Sequence, residues 1–245
     1  AMAAGRPHRI RITHLEPVVD IRAHIVQRAL VAVSHGPGVA ALLQDAGVAV
    51  VPAKARQRPS TKEILDAIGL SHAAEVIVLP SDSDTRGVAE AAAGQARADG
   101  LRVSVIPTRS IVQTLAAVAV HDPILHFDDD VVSMTRAAGA THYGAVTIAS
   151  RAALTTVGPC DVGDVLGLVD GDIVAVGSDL ASVARGILDG MLAVGGELVT
   201  LVLGADADAD LRDDLPEWLA SQHPLTEVVV HDGGQPLWPL IVGVE

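Results

Sequence analysis

One pattern constrains this chain more than any other, and it occurs three times between residues 30 and 120. An apolar run ends at a small polar residue and then turns into a helical pattern. Leu30-Val-Ala-Val-Ser34 leads into His35-Gly-Pro-Gly38, Val76-Ile-Val-Leu-Pro80 into Ser81-Asp-Ser-Asp84, and Val103-Ser-Val-Ile-Pro107 into Thr108-Arg-Ser110. Short β-rich runs that alternate with helical stretches build βα units and a parallel sheet. In such sheets a ligand sits beyond the carboxyl ends of the strands. Ser34, Ser81 and Thr108 therefore mark the edge where a site belongs.

The rest of the chain reads as two α/β lobes that meet near residues 121–127. Residues 29–122 form a parallel βα lobe, and residues 123–245 form a lobe with a mixed sheet and helices. Residues 9–14 alternate like a short strand, and residues 15–28 read as a linker. Together, residues 1–28 read as a leader and the end of a preceding domain. The leading Ala1-Met2 reads as a remnant ahead of a chosen boundary, so the chain is expected to be a piece of something longer.

In the first lobe the pattern predicts strand 30–34, a helix over 38–46 and a buried strand over 48–51. A polar loop, Lys54-Ala-Arg-Gln-Arg-Pro59, follows. Ser60 with Glu63 three residues on is a capping box. An alanine-rich helix over 84–99, ended by Gly100, and an apolar helix over 110–120 complete the lobe. In the second lobe, Asp128, Asp129 and Asp130 open a helix that runs to about Ala138, and their charge suits its dipole. Val146–Ala149 alternates as a strand, and Asp170-Gly171 between apolar runs is a hairpin turn. Leu180, Val183, Ala184, Ile187, Leu188, Met191 and Leu192 form an amphipathic helix with Ser178 as its expected cap. Strand 198–203, helix 211–222, strand 228–230 and strand 240–244 follow.

Composition closes off several functions. A net charge of −13 argues against nucleic acid, because phosphate backbones need a basic stripe. Only Phe127, Tyr143, Trp218 and Trp238 are aromatic, which removes stacking platforms for bases. No stretch gives the ~18 uninterrupted apolar residues of a membrane helix. Cys160 is the sole cysteine, which excludes an internal disulfide and fits a reducing cytoplasm. Hydrophobic residues make up 49% of the chain, enough for a substantial core.

Candidate chemistry falls on three groups. Ser34, His35, Ser60, Thr61, Ser81, Asp82 and Thr108 supply hydroxyls and helix starts suited to an anion, although each hydroxyl would also serve as a plain cap. Gly233-Gly-Gln-Pro-Leu-Trp-Pro239 reads as a Gly-rich turn into an edge strand, with Gln235 and Trp238 as partner contacts. Asp206-Ala-Asp208-Ala-Asp210 fails the calcium-loop test at its sixth position, where Leu211 replaces the required glycine. The histidines show no zinc-site spacing, and there is no G-x-S-x-G elbow, so no catalytic or metal residue is assigned.

The run His231-Asp-Gly-Gly-Gln-Pro-Leu-Trp-Pro-Leu-Ile-Val-Gly-Val-Glu245 resembles the C-terminus of the A component of fatty acid kinases. That dihydroxyacetone-kinase-like family is also known as "Dak phosphatase". Val31-Ala-Val-Ser-His-Gly-Pro-Gly38, Arg58-Pro-Ser-Thr61, Ile106-Pro-Thr-Arg109 and Gly163-Asp-Val-Leu-Gly-Leu-Val-Asp-Gly171 agree in order. The resemblance implies a two-lobed, DegV-like domain without catalytic groups of its own. ATP and Mg²⁺ would belong to an N-terminal kinase domain that precedes a middle domain. The partner would be a DegV-type protein carrying a fatty acid for phosphorylation, and a homodimer stays open. In such partners Ser/Thr groups at a strand edge hold the carboxylate, and Ser60 and Thr61 sit at a comparable place. The kinase family tends to have an Asn pair where this chain has Ser81-Asp82, and a buried Asp there would repel a carboxylate. The leading expectation is a docking domain. The alternative is a fatty acid or small-anion binder at the Ser34/Ser60/Ser81/Thr108 edge, and behind it a phosphatase or hydrolase.

Overall fold

A computed structural model describes residues 28–245. The expected strand over 9–14 and the linker before residue 28 lie outside the described residues. The first sheet is built from β1 (Arg28–Ser34), β2 (Ala49–Pro52), β3 (Glu75–Leu79) and β4 (Arg102–Val105). Its order is β2-β1-β3-β4, and every pairing is parallel. The connecting helices are α1 (Pro37–Asp45), α2 (Thr61–Leu70), α3 (Ser83–Ala98) and α4 (Ile111–Ala119).

Both faces of this sheet are buried, and alternate residues go to opposite sides. Val31, Val33, Val76 and Val78 meet Ile64 and Ile68 of α2 and the alanines of α3. Those alanines, Ala89, Ala92, Ala93 and Ala96, let α3 lie close to the strands. Leu30, Ala32, Ile77 and Leu79 face the other way, onto α1 and α4.

The second half begins with α5 (Phe127–Ala140) and β5 (His142–Ile148). A small hairpin follows, β6 (Ala153–Thr155) with β7 (Gly158–Cys160), which the sequence pattern did not show. Then come β8 (Val165–Val169), β9 (Asp172–Gly177), α6 (Leu180–Leu192) and β10 (Leu198–Leu203). A π-helical turn, Asp210–Asp214, runs into α7 (Leu215–Gln222), followed by β11 (Glu227–Asp232) and β12 (Leu240–Val244). The sheet order is β11-β10-β12-β5-β8-β9. Only β10 and β11 are parallel.

The layers stack in sequence. Helices α2 and α3 cover the outside of the first sheet, and α1, α4 and α5 fill the space between the sheets. There Phe127, Met134 and Val112 pack with Val202 of β10 and Ile241 of β12. Helices α6 and α7 close the far side through Ile187, Leu188, Leu215 and Leu219. Asp170 and Gly171 both have positive φ (50° and 98°), as a two-residue hairpin turn requires. The cap of α6 is Asp179, whose carboxylate accepts from Ser182 N, and not Ser178. A carboxylate one residue nearer reaches that amide and suits the dipole better than a hydroxyl.

Candidate functional site

The order β2-β1-β3-β4 places a topological switch point between β1 and β3, where successive connections leave in opposite directions. Ligand crevices open beyond the strand ends at such points. A cleft of about 710 Å³ lies there. Ser34, His35, Ser81, Asp82, Arg109 and Ser110 line its first-lobe side. Tyr143, Ala145, Leu168, Gln235, Trp238 and Ile241 line the opposite wall.

The two glycine-rich runs noted in the sequence meet at this cleft. Gly38 N and Val39 N donate to Gly233 O (3.0 and 3.3 Å). The second lobe thus supplies the acceptor that caps α1, which has no side-chain cap of its own. Gly233 and Gly234 in turn donate to Leu203 O, both at 2.9 Å. A Cβ at Gly36 would overlap the carbonyl oxygen of Gly233, and one at Gly38 that of Asp232. Glycine is required here for close backbone approach.

His35 and Asp82 bridge the switch point. His35 Nε2 donates to Asp82 Oδ2 at 2.9 Å. The same carboxylate caps α3, accepting from Thr85 N at 2.6 Å and Thr85 Oγ1 at 2.7 Å. Burial pushes the Asp82 carboxyl up, but the bonds from His35 and Thr85 outweigh it and hold the group below its ordinary value of 3.8. A depressed carboxylate contributes stability above its unfolded value, and loses it as pH falls through the folded one. Acid melts should therefore show a loss of stability that begins below pH 3.8 and is absent in Asp82→Asn. An unchanged acid slope in that variant would contradict the pairing.

Not every predicted residue reaches the cleft. Ser60 and Thr61 are not among its lining residues. Ser60 is spent on its capping box, where its hydroxyl meets Glu63 Oε2 at 2.8 Å and Glu63 N at 3.2 Å. Thr108 is fully buried behind the rim, accepting from Ser81 N at 3.0 Å. Ser81 itself has φ +65°, a conformation held by that bond and by Thr114 Oγ1 at 3.0 Å. Ser34 is buried, with its hydroxyl turned to Gly36 O. Gln235 is 4% exposed, and its amide donates to Val202 O and Trp238 O. It is an internal strut and not a surface contact. Trp238 is half-buried and not freely exposed. With Arg56 and Leu237 it lines both the main cleft and a second cavity of about 430 Å³.

Arg56, Arg58, Ser110 and Tyr143 also line the cleft, although no motif in the sequence marks them as site residues. The two arginines lie in the loop Lys54–Pro59, whose local positive charge stands out in a chain of net −13. Burial raises the Tyr143 hydroxyl above its ordinary value of 10.0, although the nearby positive charge of Arg109 pulls the other way.

The model of the FakA-like C-terminal family, named for the A component of fatty acid kinase, matches residues 29–245. The chain belongs to this family. An uncharacterized protein of Staphylococcus haemolyticus is 33% identical over 221 residues, which is 90% of this chain and 40% of that protein. An uncharacterized protein of Staphylococcus aureus is 27% identical over 97% of this chain and 43% of its own length. The FakA-like chain thus spans about two fifths of the curated relatives it matches.

The fold of the FakA-like chain is that of the DegV proteins. A DegV protein from Thermus thermophilus, whose structure is described as fatty acid binding, superposes with a TM-score of 0.63 at 17% identity. The match covers 89% of this chain and 99% of that one. The fatty acid kinase B3 protein of Streptococcus pneumoniae, loaded with linoleic acid, gives 0.62 at 11% identity over 89% and 99%. Among the described residues of the FakA-like chain, no helix is long and apolar enough to cross a membrane.

Proposed function

We propose that this chain is a non-catalytic C-terminal module of a larger fatty-acid-kinase-type protein. It positions a DegV-type partner that carries the fatty acid, for phosphorylation by a kinase domain outside this chain. In that arrangement ATP and Mg²⁺ are held elsewhere in the parent protein. Family membership and the short span relative to the relatives support this reading. The observation that carries it is Asp82. At the switch point, where the α3 N-terminus would welcome a carboxylate, the chain places its own, fixed by His35 and Thr85. A second carboxylate brought to the same amides would be repelled.

The cleft itself favours a second reading, direct binding of a lipid or small anion. Its floor is apolar, with Ile111, Ala145, Leu168 and Ile241, and Arg56, Arg58 and Arg109 stand on its rim.

One experiment separates the two. The chain is mixed with a fatty-acid-loaded DegV-type protein, and complex formation is read by calorimetry. The chain alone is read by native mass spectrometry. A complex, with no acyl ligand on the chain alone, is the expected result. A retained acyl chain without a complex would favour the second reading. Phosphotransfer by this chain alone would overturn the first.

A further inference from the structure

Four strands stand at the edges of the two main sheets, β2 and β4 in the first, β9 and β11 in the second. An open edge offers unpaired backbone groups to another chain, and native proteins blunt such edges. Three of the four are blunted here. β2 is four residues long and ends in Pro52, which has no N–H to donate. On β4, Val103 O is taken by Arg97 Nε at 2.7 Å. On β9, Ile173 O accepts from Thr156 Oγ1 at 2.7 Å. β11 has no such cover along its middle among the described residues. It reads Glu-Val-Val-Val-His-Asp from Glu227 to Asp232, without proline or lysine, and Val230 is 40% exposed.

The direction of the β11 backbone groups follows from its pairing with β10. Glu227 N donates to Glu197 O at 2.8 Å, and Gly233 N donates to Leu203 O at 2.9 Å. Alternation along the strand then turns Glu227, Val229 and His231 toward β10. It turns the N–H and C=O of Val228 and Val230 outward. Among the described residues no other backbone group bonds these outward groups. α1 closes the edge only at its far end, where Gly38 lies against the Asp232 carbonyl.

We propose that β11 is a pairing edge for a second copy of this chain, joined antiparallel across a two-fold axis at Val229. In this register the strand complements itself. Val228 of one copy and Val230 of the other exchange both backbone bonds, and the two Val229 residues face each other as a non-hydrogen-bonded pair. Valine thus meets valine, and Glu227 meets His231, whose ring N–H can donate to the carboxylate. A register centred on Val230 would instead set Val228 against Asp232 and Val229 against His231. A two-fold contact uses the same patch on both copies, so each favourable pair occurs twice. β11 runs into Gly233, the acceptor that caps α1 beside the cleft. Antiparallel pairing therefore sends the two clefts to opposite ends of the seam and leaves both open. The pairing holds or fails independently of what docks at the cleft.

The test is sedimentation velocity of the 245-residue chain from micromolar to millimolar concentration, with amide hydrogen exchange read alongside. A reversible dimer is expected, and the Val228 and Val230 amides should gain protection as it forms. His231→Glu sets carboxylates opposite each other and should weaken the dimer about tenfold. Adding Glu227→Lys exchanges the charges and should restore the affinity, a rescue that a local structural fault at residue 231 would not show. Val230→Pro removes an outward N–H without touching a bond to β10, and should leave a folded monomer. A chain that stays monomeric throughout, or a dimer that survives Val230→Pro, would overturn the proposal. So would a loss in His231→Glu that Glu227→Lys does not restore.

Discussion

Gly38→Ala should destabilise the protein by roughly 3 kcal/mol, a fall in melting midpoint of about 10 °C. The added methyl would overlap the Asp232 carbonyl, which is backbone and cannot rotate away. Relief requires α1 to draw back from Gly233, which breaks the two bonds that cap the helix and opens the cleft beside it. The control is Gly87→Ala in α3, where a Cβ meets nothing within 4 Å. That change should be neutral or should stabilise by about 0.5–1 kcal/mol, as removing a helical glycine does. Thermal melts of the two variants side by side provide the check. Equal midpoints would mean that the junction between the glycine runs is looser than its hydrogen bonds imply.

Asp130→Ala should cost about 3–5 kcal/mol, read from urea unfolding. Asp130 is fully buried at the opposite end of the first sheet from the cleft. It accepts from Arg28 Nη1 at 2.7 Å, His121 Nδ1 at 2.8 Å and Asp122 N at 3.1 Å. The Arg28 side chain is only 4% exposed and is shared with Glu75. Phe127 lies beneath Arg102 and Arg28, with ring centroid distances of 4.6 and 5.4 Å. Removing Asp130 leaves a buried guanidinium short of one counter-charge and frees the amide that holds the turn before α5. The exposed pair Lys62–Asp66 makes the contrast. Its side chains are 80% and 54% exposed, so Lys62→Ala should change stability by less than about 1 kcal/mol. A cost for Asp130→Ala as small as that would show that the network is not holding α5 to the sheet.

The βα grammar is legible because the two central runs, β1 and β3, are buried on both faces and helices α2 and α3 carry their own side-chain caps. Ser60 with Glu63 and Asp170-Gly171 took the roles their residue types dictate. β1 starts two residues before the expected strand, at Arg28, because a charged side chain hides there among acidic partners that no local window contains. The β6–β7 hairpin has only three residues in each strand, too few to show a period. At the cleft, the hydroxyls on view were those that cap, and capping removed Ser60 from the site. The pairing of His35 with Asp82 spans 47 residues, and the contact of Gly38 with Gly233 spans nearly the whole chain. Such convergence follows from strand order, which hydropathy does not encode. In the sequence Ser110 stands only at the start of an apolar helical pattern. Nothing in its neighbours tells a satisfied cap from an idle one.

The position of β12 has a consequence for how the protein is made. It is the latest strand in sequence, yet it lies between β10 and β5 and joins two halves of the six-stranded sheet. On a ribosome the four parallel strands have all been synthesised once Val105 emerges, whereas the six-stranded sheet must wait for residue 244. Until then β10 and β5 each expose an unpaired edge, a hazard for association between nascent chains. There is therefore a window in which the strands of the first sheet are all present and the edges of the second need protection. The length of that window is set by a single late strand.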